Sequence, residues 1–476
     1  MKLRIAEKDY KELRRVTSTS FLRNVEFAHE TGCILLVAAN AHPANPSLLV
    51  TEVMLPAQGE LAETASDGLV FSAGYLRRAL LKCRGERLAG FLTVHTHPLA
   101  GSRVGFSKYD DEQDPVLMKN LYELQPGGVF GSLVLGREAI AGRTWSGDTL
   151  NAEPLDELVI VGESVKSVCL RGTPPAPLAT DTGIFDRALA ITGAGALSNL
   201  SKMRVGVVGL GGTGSLMVEL LLRAGVGEIV GFDFDVAEDS NLNRVLHLRE
   251  IDARSGRLKI ERLIEVVDET GLPSRLTAAL GGDVRNAETA SQLAGCDLIV
   301  GCVDRDWPRL IMCEVSYQYL IPLIDIGTEI GFSGNQVLSV DSRVSVIGPE
   351  RPCLLCSGVI SMERIRIEGY GSAERRRVLN MGYSADIELR APAVMDLNMR
   401  AASMAMLVVR HLLQTYMLTP LPHTIKEALT NFAMRTLRHN PGAACPICGS
   451  ARLGVGDGMR LTTRRAMRRG EDERSL

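Results

Sequence analysis

The sequence carries no strong charge of either sign. Its 53 Lys and Arg against 56 Asp and Glu leave a net charge of −3, so no global basic field points to nucleic acid. Long apolar runs are missing too. The longest, near Met404–Leu413, is interrupted by Arg410 and is too short to span a bilayer, so no membrane segment is expected. Met1-Lys-Leu-Arg leads into charged residues; no signal peptide is visible, and a cytoplasmic location is expected. Aromatic residues make up only 5% of the chain, a scarcity that excludes nothing. Ten cysteines in 476 residues are too sparse for a disulfide scaffold. No internal repeat is apparent.

What is present suffices for two or three domains, each with its own core. The first extends over residues 1–155 and reads as a small α/β unit. Polar residues 8–24 suggest a helix, and the apolar run Cys33–Ala39 a buried strand. Leu48–Leu55 reads as a second strand. Ser72–Arg84 has helical spacing, with Tyr75, Leu76, Ala79 and Leu80 on one face. Gly90–Val94 and Val129–Leu135 read as further strands. A linker is expected over 156–184, centred on the proline-rich Arg171–Thr180. From residue 185 to 455 strands alternate with helices. That alternation implies right-handed βαβ units and a mostly parallel sheet. The charged residues 456–476 read as a disordered tail.

The second region opens on Arg204-Val-Gly-Val-Val-Gly-Leu-Gly-Gly-Thr-Gly-Ser215. A short strand, Val205–Val208, runs into Gly209, Gly211 and Gly214 spaced as G-x-G-x-x-G, with Gly212 inside the turn. A helix follows. Such a turn exposes backbone N–H groups at a positive helix end, where a phosphate can approach. Many nucleotide-binding folds use it, so neighbouring residues must decide the chemistry. The next strand ends at Asp233 and Asp235, where a ribose-binding acid is expected. Asn243 and Arg244 come next, then Lys259 on a charged helix, then Asp304 and Arg309 after another strand. Hydride transfer has little use for so many charges around phosphates. ATP does: Arg and Lys offset phosphate charge and an Asp can hold Mg²⁺.

This set resembles the MoeB/ThiF/ubiquitin-activating family of adenylating enzymes, over roughly Phe185–Leu453, and a Rossmann-like fold follows from the resemblance. It implies that Gly209, Gly211, Gly212 and Gly214 form the nucleotide loop and that Asp233, Asp235, Asn243, Arg244 and Lys259 serve the ribose and phosphates. It further implies that Asp304 and Arg309 form the Mg²⁺ element. Arg305 stands where the family commonly has Asn. Arg187 resembles the arginine that reaches a neighbouring subunit's ATP, which implies a homodimer. The implied reaction charges the C-terminal glycine of a ubiquitin-like or sulfur-carrier protein as an acyl-adenylate.

A different chemistry is written in the first region. His95-Thr-His97-Pro sits where a strand ends, and alternate residues of a strand share a face. Two co-facing histidines are a start for a Zn²⁺ site, with a downstream carboxylate as third ligand and water as fourth. Ser107-Lys-Tyr-Asp110 supplies that carboxylate, and Glu30, at the mouth of the first buried strand, is the candidate proton shuttle. Glu30…His95-x-His97-Pro…Ser107-x-x-Asp110 resembles the JAMM (MPN⁺) metalloisopeptidases, whose fold is a deaminase-like α/β domain. The resemblance implies His95, His97 and Asp110 as zinc ligands, Glu30 as general acid/base and Ser107 as an oxyanion stabiliser. The gap from His97 to Ser107 is longer than usual in that family, which leaves Asp111 and Asp114 as alternative carboxylates. A scaffold role without activity is the alternative for this domain.

Cys353-Leu-Leu-Cys356 and Cys445-Pro-Ile-Cys448 form two C-x-x-C pairs, a ligand set for a closed tetrahedral Zn²⁺ site, with a redox C-x-x-C as the competing reading. Their wide separation matches the MoeB/ThiF arrangement. No cysteine lies between Cys356 and Cys445, the stretch where relatives that carry a thioester place their nucleophile. Adenylation without a loop thioester is therefore expected, with passage to a sulfur donor or to a conjugating-type partner enzyme. Cys33, Cys83, Cys169, Cys296, Cys302 and Cys313 read as inert core residues. The Met-rich segment from Ala391 to Leu413 reads as a buried helix or a dimer contact. Taken together, the chain reads as a fusion in which both domains handle one protein tail, as in a prokaryotic ubiquitin-like pathway. Sulfur-carrier activation for cofactor biosynthesis is the alternative.

Overall fold

The computed structural model describes residues 1–18, 29–63, 68–145, 151–172, 183–333, 336–371, 374, 377, 393–414, 419–442 and 444–464. The chain divides into two compact units. The first comprises Met1–Pro177 with Gln318–Leu320 and Leu453–Arg460, and the second comprises the remainder.

Among the described residues, the first unit is a nine-stranded mixed sheet flanked by three helices. In chain order its elements are β1 (Lys2–Ala6), α1 (Glu7–Thr17), β2 (Gly32–Asn40), β3 (Ser47–Met54), β4 (Leu61–Glu63), β5 (Leu69–Phe71), α2 (Ala73–Glu86) and β6 (Gly90–Thr96). They continue with α3 (Lys108–Leu124), β7 (Val129–Leu135), β8 (Ile140–Trp145), β9 (Glu153–Pro154), β10 (Glu157–Val161) and β11 (Val165–Cys169). The strand order is β11-β10-β1-β3-β2-β6-β7-β8-β9, and β4 pairs with β5 apart from it. β2 and β6 are central strands buried on both faces, which is why their sequences are apolar runs rather than alternations. Leu3, Leu35, Val50, Leu92, Leu133 and Leu158 anchor one continuous core beneath the sheet.

Two expected boundaries move. Residues 157–169 were assigned to the linker, yet β10 pairs in parallel with β1 and β11 closes the edge beside it. The run Leu158–Val161 is apolar because it fills that interior position, so the first unit reaches past residue 155. The proline-rich stretch itself lies at 173–182, outside the described residues. The C-terminal segment is also ordered further than its charge suggests. Gly456 and Met459 carbonyls accept from the Gln318 side chain, and Asp457 accepts from the Tyr319 hydroxyl. Thr462 is bound to the buried Glu314 through both its N–H and its hydroxyl. Residues 465–476 lie outside the described residues.

The second unit contains α4 (Asp186–Thr192), α5 (Ala194–Leu200), β12 (Arg204–Val208), α6 (Gly212–Arg223), β13 (Glu228–Phe232), α7 (Glu250–Ser255), α8 (Lys259–Glu269), β14 (Arg275–Ala278), α9 (Ala287–Ser291) and β15 (Leu298–Gly301). After them come α10 (Asp306–Gln318), β16 (Leu323–Ser333), β17 (Gln336–Ile347), α11 (Met362–Glu368), α12 (Met395–Gln414), β18 (Thr424–Ala428) and β19 (Ala433–Leu437). Their sheet order is β14-β13-β12-β15-β16-β17-β18-β19. β14 through β16 are parallel neighbours, as the alternation predicts. β16 to β19 instead form an antiparallel meander, so the sheet is parallel over only about half its width. β12 lies between β13 and β15. The chain therefore leaves the end of β12 at the point where strand order reverses, where a ligand crevice opens beyond the carboxyl ends of parallel strands. Among the described residues no helix is long and apolar enough to cross a membrane.

Candidate functional site

The crevice at the end of β12 is a cavity of about 650 Å³, within the range that holds a small-molecule ligand. Its floor is the glycine loop. Gly209 has φ +85°, and a Cβ there would approach the Cys302 carbonyl oxygen to 2.9 Å. A Cβ at Gly214 would lie 1.8 Å from the Gly209 carbonyl oxygen, so this glycine lets α6 pack on its own loop. Gly211 meets nothing within 4 Å and is open to a ligand. α6 begins with no side-chain cap, so its first N–H groups remain available to an anion.

Gly209, Gly211, Gly212, Asp233, Asp235, Arg244, Lys259 and Asp304 all line this cavity. Asp233 ties the loop to the next strand: Oδ2 accepts from Leu210 N–H at 2.6 Å and Oδ1 from Asp235 N–H at 2.8 Å. Burial pushes its carboxyl above the usual range against these bonds. Lys259, the first residue of α8, is buried and places Nζ 3.0 Å from Asp235 Oδ2. Arg244 is half-buried and steered by the Ser240 carbonyl and by Asn243 Oδ1. Three expected residues are not in the wall. Gly214 acts through packing, Asn243 acts through Arg244, and Arg187 is exposed on the short helix α4. Arg309 does line the cavity, but its guanidinium is committed to the fully buried Asp325 at 3.2 Å, which Arg343 also contacts at 2.6 Å.

Other wall residues were not legible as such. Cys302, read as core, is a wall residue whose thiol is raised by burial. Asp283 and Arg285 pair at 2.8 Å and line the side near Phe234. Glu368, at the end of α11, receives the N–H groups of Asp306 and Trp307, each at 2.9 Å, and so fills the positive end of α10 next to Asp304. Asp306 reciprocates, accepting from Ser361 N–H at 2.8 Å and from Arg364 Nε at 2.6 Å. No local pattern announces such contacts, since each joins segments distant in sequence.

The two C-x-x-C pairs come together in the same unit. Cys353 Sγ lies 3.6 Å from Cys445 Sγ, and Cys356 Sγ lies 3.5 Å from Cys448 Sγ. Thiolates about 2.3 Å from a tetrahedral zinc would be about 3.8 Å apart, so the set fits that ion. Gly442 N–H donates to Cys356 Sγ at 3.3 Å. Hydrogen bonding, Cys353 foremost, holds the Cys448 thiol down to about 5, whereas burial first of all lifts Cys356 to about 11.

In the first unit, His95 is the penultimate residue of β6 and His97 follows directly after the strand, its N–H donating to the Leu135 carbonyl at 2.9 Å. Their Nε2 atoms face each other at 3.2 Å. Asp110 Oδ1 lies 3.2 Å from His95 Nε2, and Oδ2 lies 3.5 Å from His97 Nε2. Nitrogen and oxygen ligands about 2.0–2.1 Å from a tetrahedral zinc stand about 3.3 Å apart, so these three groups fit as well. The alternative carboxylates are taken: Asp111 and Asp114 are both held by Arg143. Burial raises the Asp110 carboxyl, but hydrogen bonds with His95 and His97 outweigh it and leave it well below the usual range. Ser107 caps α3 in a reciprocal box. Its hydroxyl donates to Asp110 Oδ2 at 2.8 Å, so it orients that carboxylate. Any oxyanion role requires that bond to open. Glu30 Oε1 lies 3.9 Å from His97 Nε2, set there by Thr31, which exchanges backbone and side-chain hydrogen bonds with Thr96.

Residues 185–446 match the ThiF family. The chain belongs to that family. Curated relatives that match include ubiquitin-like modifier-activating enzyme 5 from Oryza sativa subsp. japonica, 24% identical over 192 residues, 38% of this chain and 46% of the relative. The enzyme of the same name from Bombyx mori is 34% identical over 188 residues, 37% of this chain and 46% of the relative. The chain thus spans somewhat under half the length of these relatives. Among solved structures, E. coli MccB with ATP aligns at TM-score 0.45 and 15% identity, covering 56% of this chain and 75% of that one. The matched ThiF segment contains the glycine loop, Arg244, Lys259, Asp304 and three of the four C-x-x-C cysteines, Cys445 included; Cys448 falls two residues beyond it.

Proposed function

We propose that the second unit adenylates the C-terminal glycine of a ubiquitin-like or sulfur-carrier protein. The observation that carries this reading is the convergence of Arg244, Lys259 and Asp304 on a cavity floored by the bare N-terminus of α6. A triphosphate with Mg²⁺ matches that array of two cations, one free carboxylate and open N–H groups. In the proposed step a carboxylate oxygen of the incoming glycine bonds to the α-phosphorus of ATP. The bond from that phosphorus to the bridging oxygen breaks, its electron pair leaving with pyrophosphate. Arg244 and Lys259 offset the charge on the departing group. A protein substrate is supported by the far end of the antiparallel sheet, which exposes Phe332, Val337, Leu338 and Met434. No thiol lies between Cys356 and Cys445, so the adenylate is the species handed on, to a sulfur donor or to a partner's cysteine. Arg187, exposed on α4, is available to a second copy, in keeping with a homodimer. Incubation with ATP, Mg²⁺ and a set of ubiquitin-like proteins ending in glycine should give ATP–pyrophosphate exchange with at least one. No exchange with any of them would defeat the reading.

The first unit is proposed to be a JAMM-type isopeptidase for the same class of protein. His95, His97 and Asp110 would hold zinc, which when bound supplies a water ionised near neutral pH. Glu30 would take the proton from that water and return it to the departing amine. Glu30→Gln keeps the three ligands but removes the base. It should leave zinc content at two per chain while lowering cleavage of a ubiquitin-like fusion by about 10²-fold or more. Undiminished cleavage in this variant would remove Glu30 from the mechanism, and a content of one zinc in the unmodified chain would leave the first unit a scaffold.

A further inference from the structure

α12 was expected only to bury apolar side chains, and Leu397, Ala401, Ala405 and Val409 do so. Asn398 differs. Only 3% of it is exposed, yet it lines the nucleotide cavity. Its Oδ1 accepts from the Thr213 hydroxyl of α6 at 3.3 Å and from the Thr328 hydroxyl of β16 at 3.4 Å. Two donors from two different elements set the orientation of the amide. Nδ2 then points away from both and has no hydrogen-bond partner among the described residues.

Gly212 locates that nitrogen. A Cβ built on Gly212 would lie 2.3 Å from Asn398 Nδ2 and 3.4 Å from Arg244 Cγ. A buried amide donor, the stem of Arg244 and the uncapped first turn of α6 therefore meet at one point of the cavity. An asparagine whose oxygen is already occupied has only N–H groups to offer. An anionic oxygen is the acceptor that α6 and Arg244 already favour there. The lack of a Cβ at Gly212 has a second use in this light: any larger residue would push the amide away from the loop.

We propose that Asn398 is a phosphate-binding residue, its Nδ2 donating to a phosphate oxygen of the nucleotide beside Arg244 at the N-terminus of α6. This rests on the assignment of the cavity to ATP. The test is calorimetric binding of Mg²⁺-ATP, AMP and adenosine to the full chain and to its Asn398→Ala and Asn398→Asp variants. Asn398→Ala should weaken ATP about 10-fold, as expected for a hydrogen bond to a charged group. Asn398→Asp keeps the shape, replaces the donor with a repelling carboxylate, and should weaken ATP further. It also serves where the alanine variant fails to fold. Adenosine binding should be unchanged in both. A parallel loss for AMP places the contact on the α-phosphate, and an unchanged AMP places it on the outer phosphates. Unaltered ATP affinity in both variants overturns the proposal, as does an equal weakening of adenosine, which would mark Asn398 as a packing residue. If the unmodified chain binds no ATP, the fault lies with the nucleotide assignment itself.

Discussion

Lys259→Ala is expected to lower ATP–pyrophosphate exchange by about 10²–10³-fold, the loss typical of removing one preorganised charge-stabilising group, while the chain remains folded. Lys259 is buried, but its partner Asp235 has more than half of its side chain in water, so the pair contributes little to stability. The start of α8 is held independently. Lys259 N–H donates to the Asp235 carbonyl at 3.1 Å, and Leu258 bridges Val236, contacts that alanine retains. What disappears is a cation in a cavity that also holds Asp233, Asp235, Asp283 and Asp304. With Asp235 uncompensated, a triphosphate carrying several negative charges meets a bare carboxylate where it met a cation. Arg244 cannot move in to replace it, because Ser240 and Asn243 fix its guanidinium. Exchange assays alongside thermal melting separate the two quantities. A variant that exchanges at the original rate, or one that simply unfolds, would show that Lys259 is a structural partner of Asp235 and no more.

The cavity was legible to the extent that its chemistry follows a local rule. The glycine spacing, the acid closing β13 and the position of the strand-order reversal all arise from the geometry of one βαβ unit, so a short stretch of sequence specifies them. Lys259 and Asp304 were legible through their resemblance to a known pattern, and their side chains do converge. Gly214 and Asn243 show the limit of that route: both belong to the pattern, yet one meets a carbonyl of its own loop and the other holds Arg244. Asn398 and Glu368 were invisible because nothing about their sequence neighbours differs from an ordinary helix. Their importance comes from which helix end or loop they reach after folding. In the first unit the sequence left three carboxylates open, Asp110, Asp111 and Asp114. The choice depended on Arg143, which arrives on β8 and binds the last two. β10 and β11 were missed because a proline-rich stretch follows them closely and drew the boundary toward itself.

Cys448→Ser should remove the zinc proposed for the four cysteines and lower both stability and nucleotide affinity. The four sulfurs belong to segments more than eighty residues apart, one following β17 and the other following β19. Gly442 N–H also donates to Cys356 Sγ, itself a sulfur contact between the two segments. In small folds that depend on such a set, the metal contributes about 10–16 kcal/mol at neutral pH. Here the sheet has its own core, and the loss should concentrate in the cysteine-bearing loops. It should not end there. Cys356 is followed closely by Ser361 and α11, which are clamped to α10 through Asp306, while Glu368 fills the positive end of α10 beside Asp304. Loosening the loop frees α11, and freeing α11 uncovers that helix end and lets the cavity wall carrying Asp304 shift. The expected result is therefore a lowered melting temperature together with weaker Mg²⁺-ATP binding. The cleavage proposed for the first unit, with the zinc proposed for His95, His97 and Asp110, should persist. A variant that keeps both metals would show that three thiolates suffice. One that loses a metal and still binds Mg²⁺-ATP as before would show that the reciprocal clamp between Glu368 and Asp306 holds the wall without help from the cysteines.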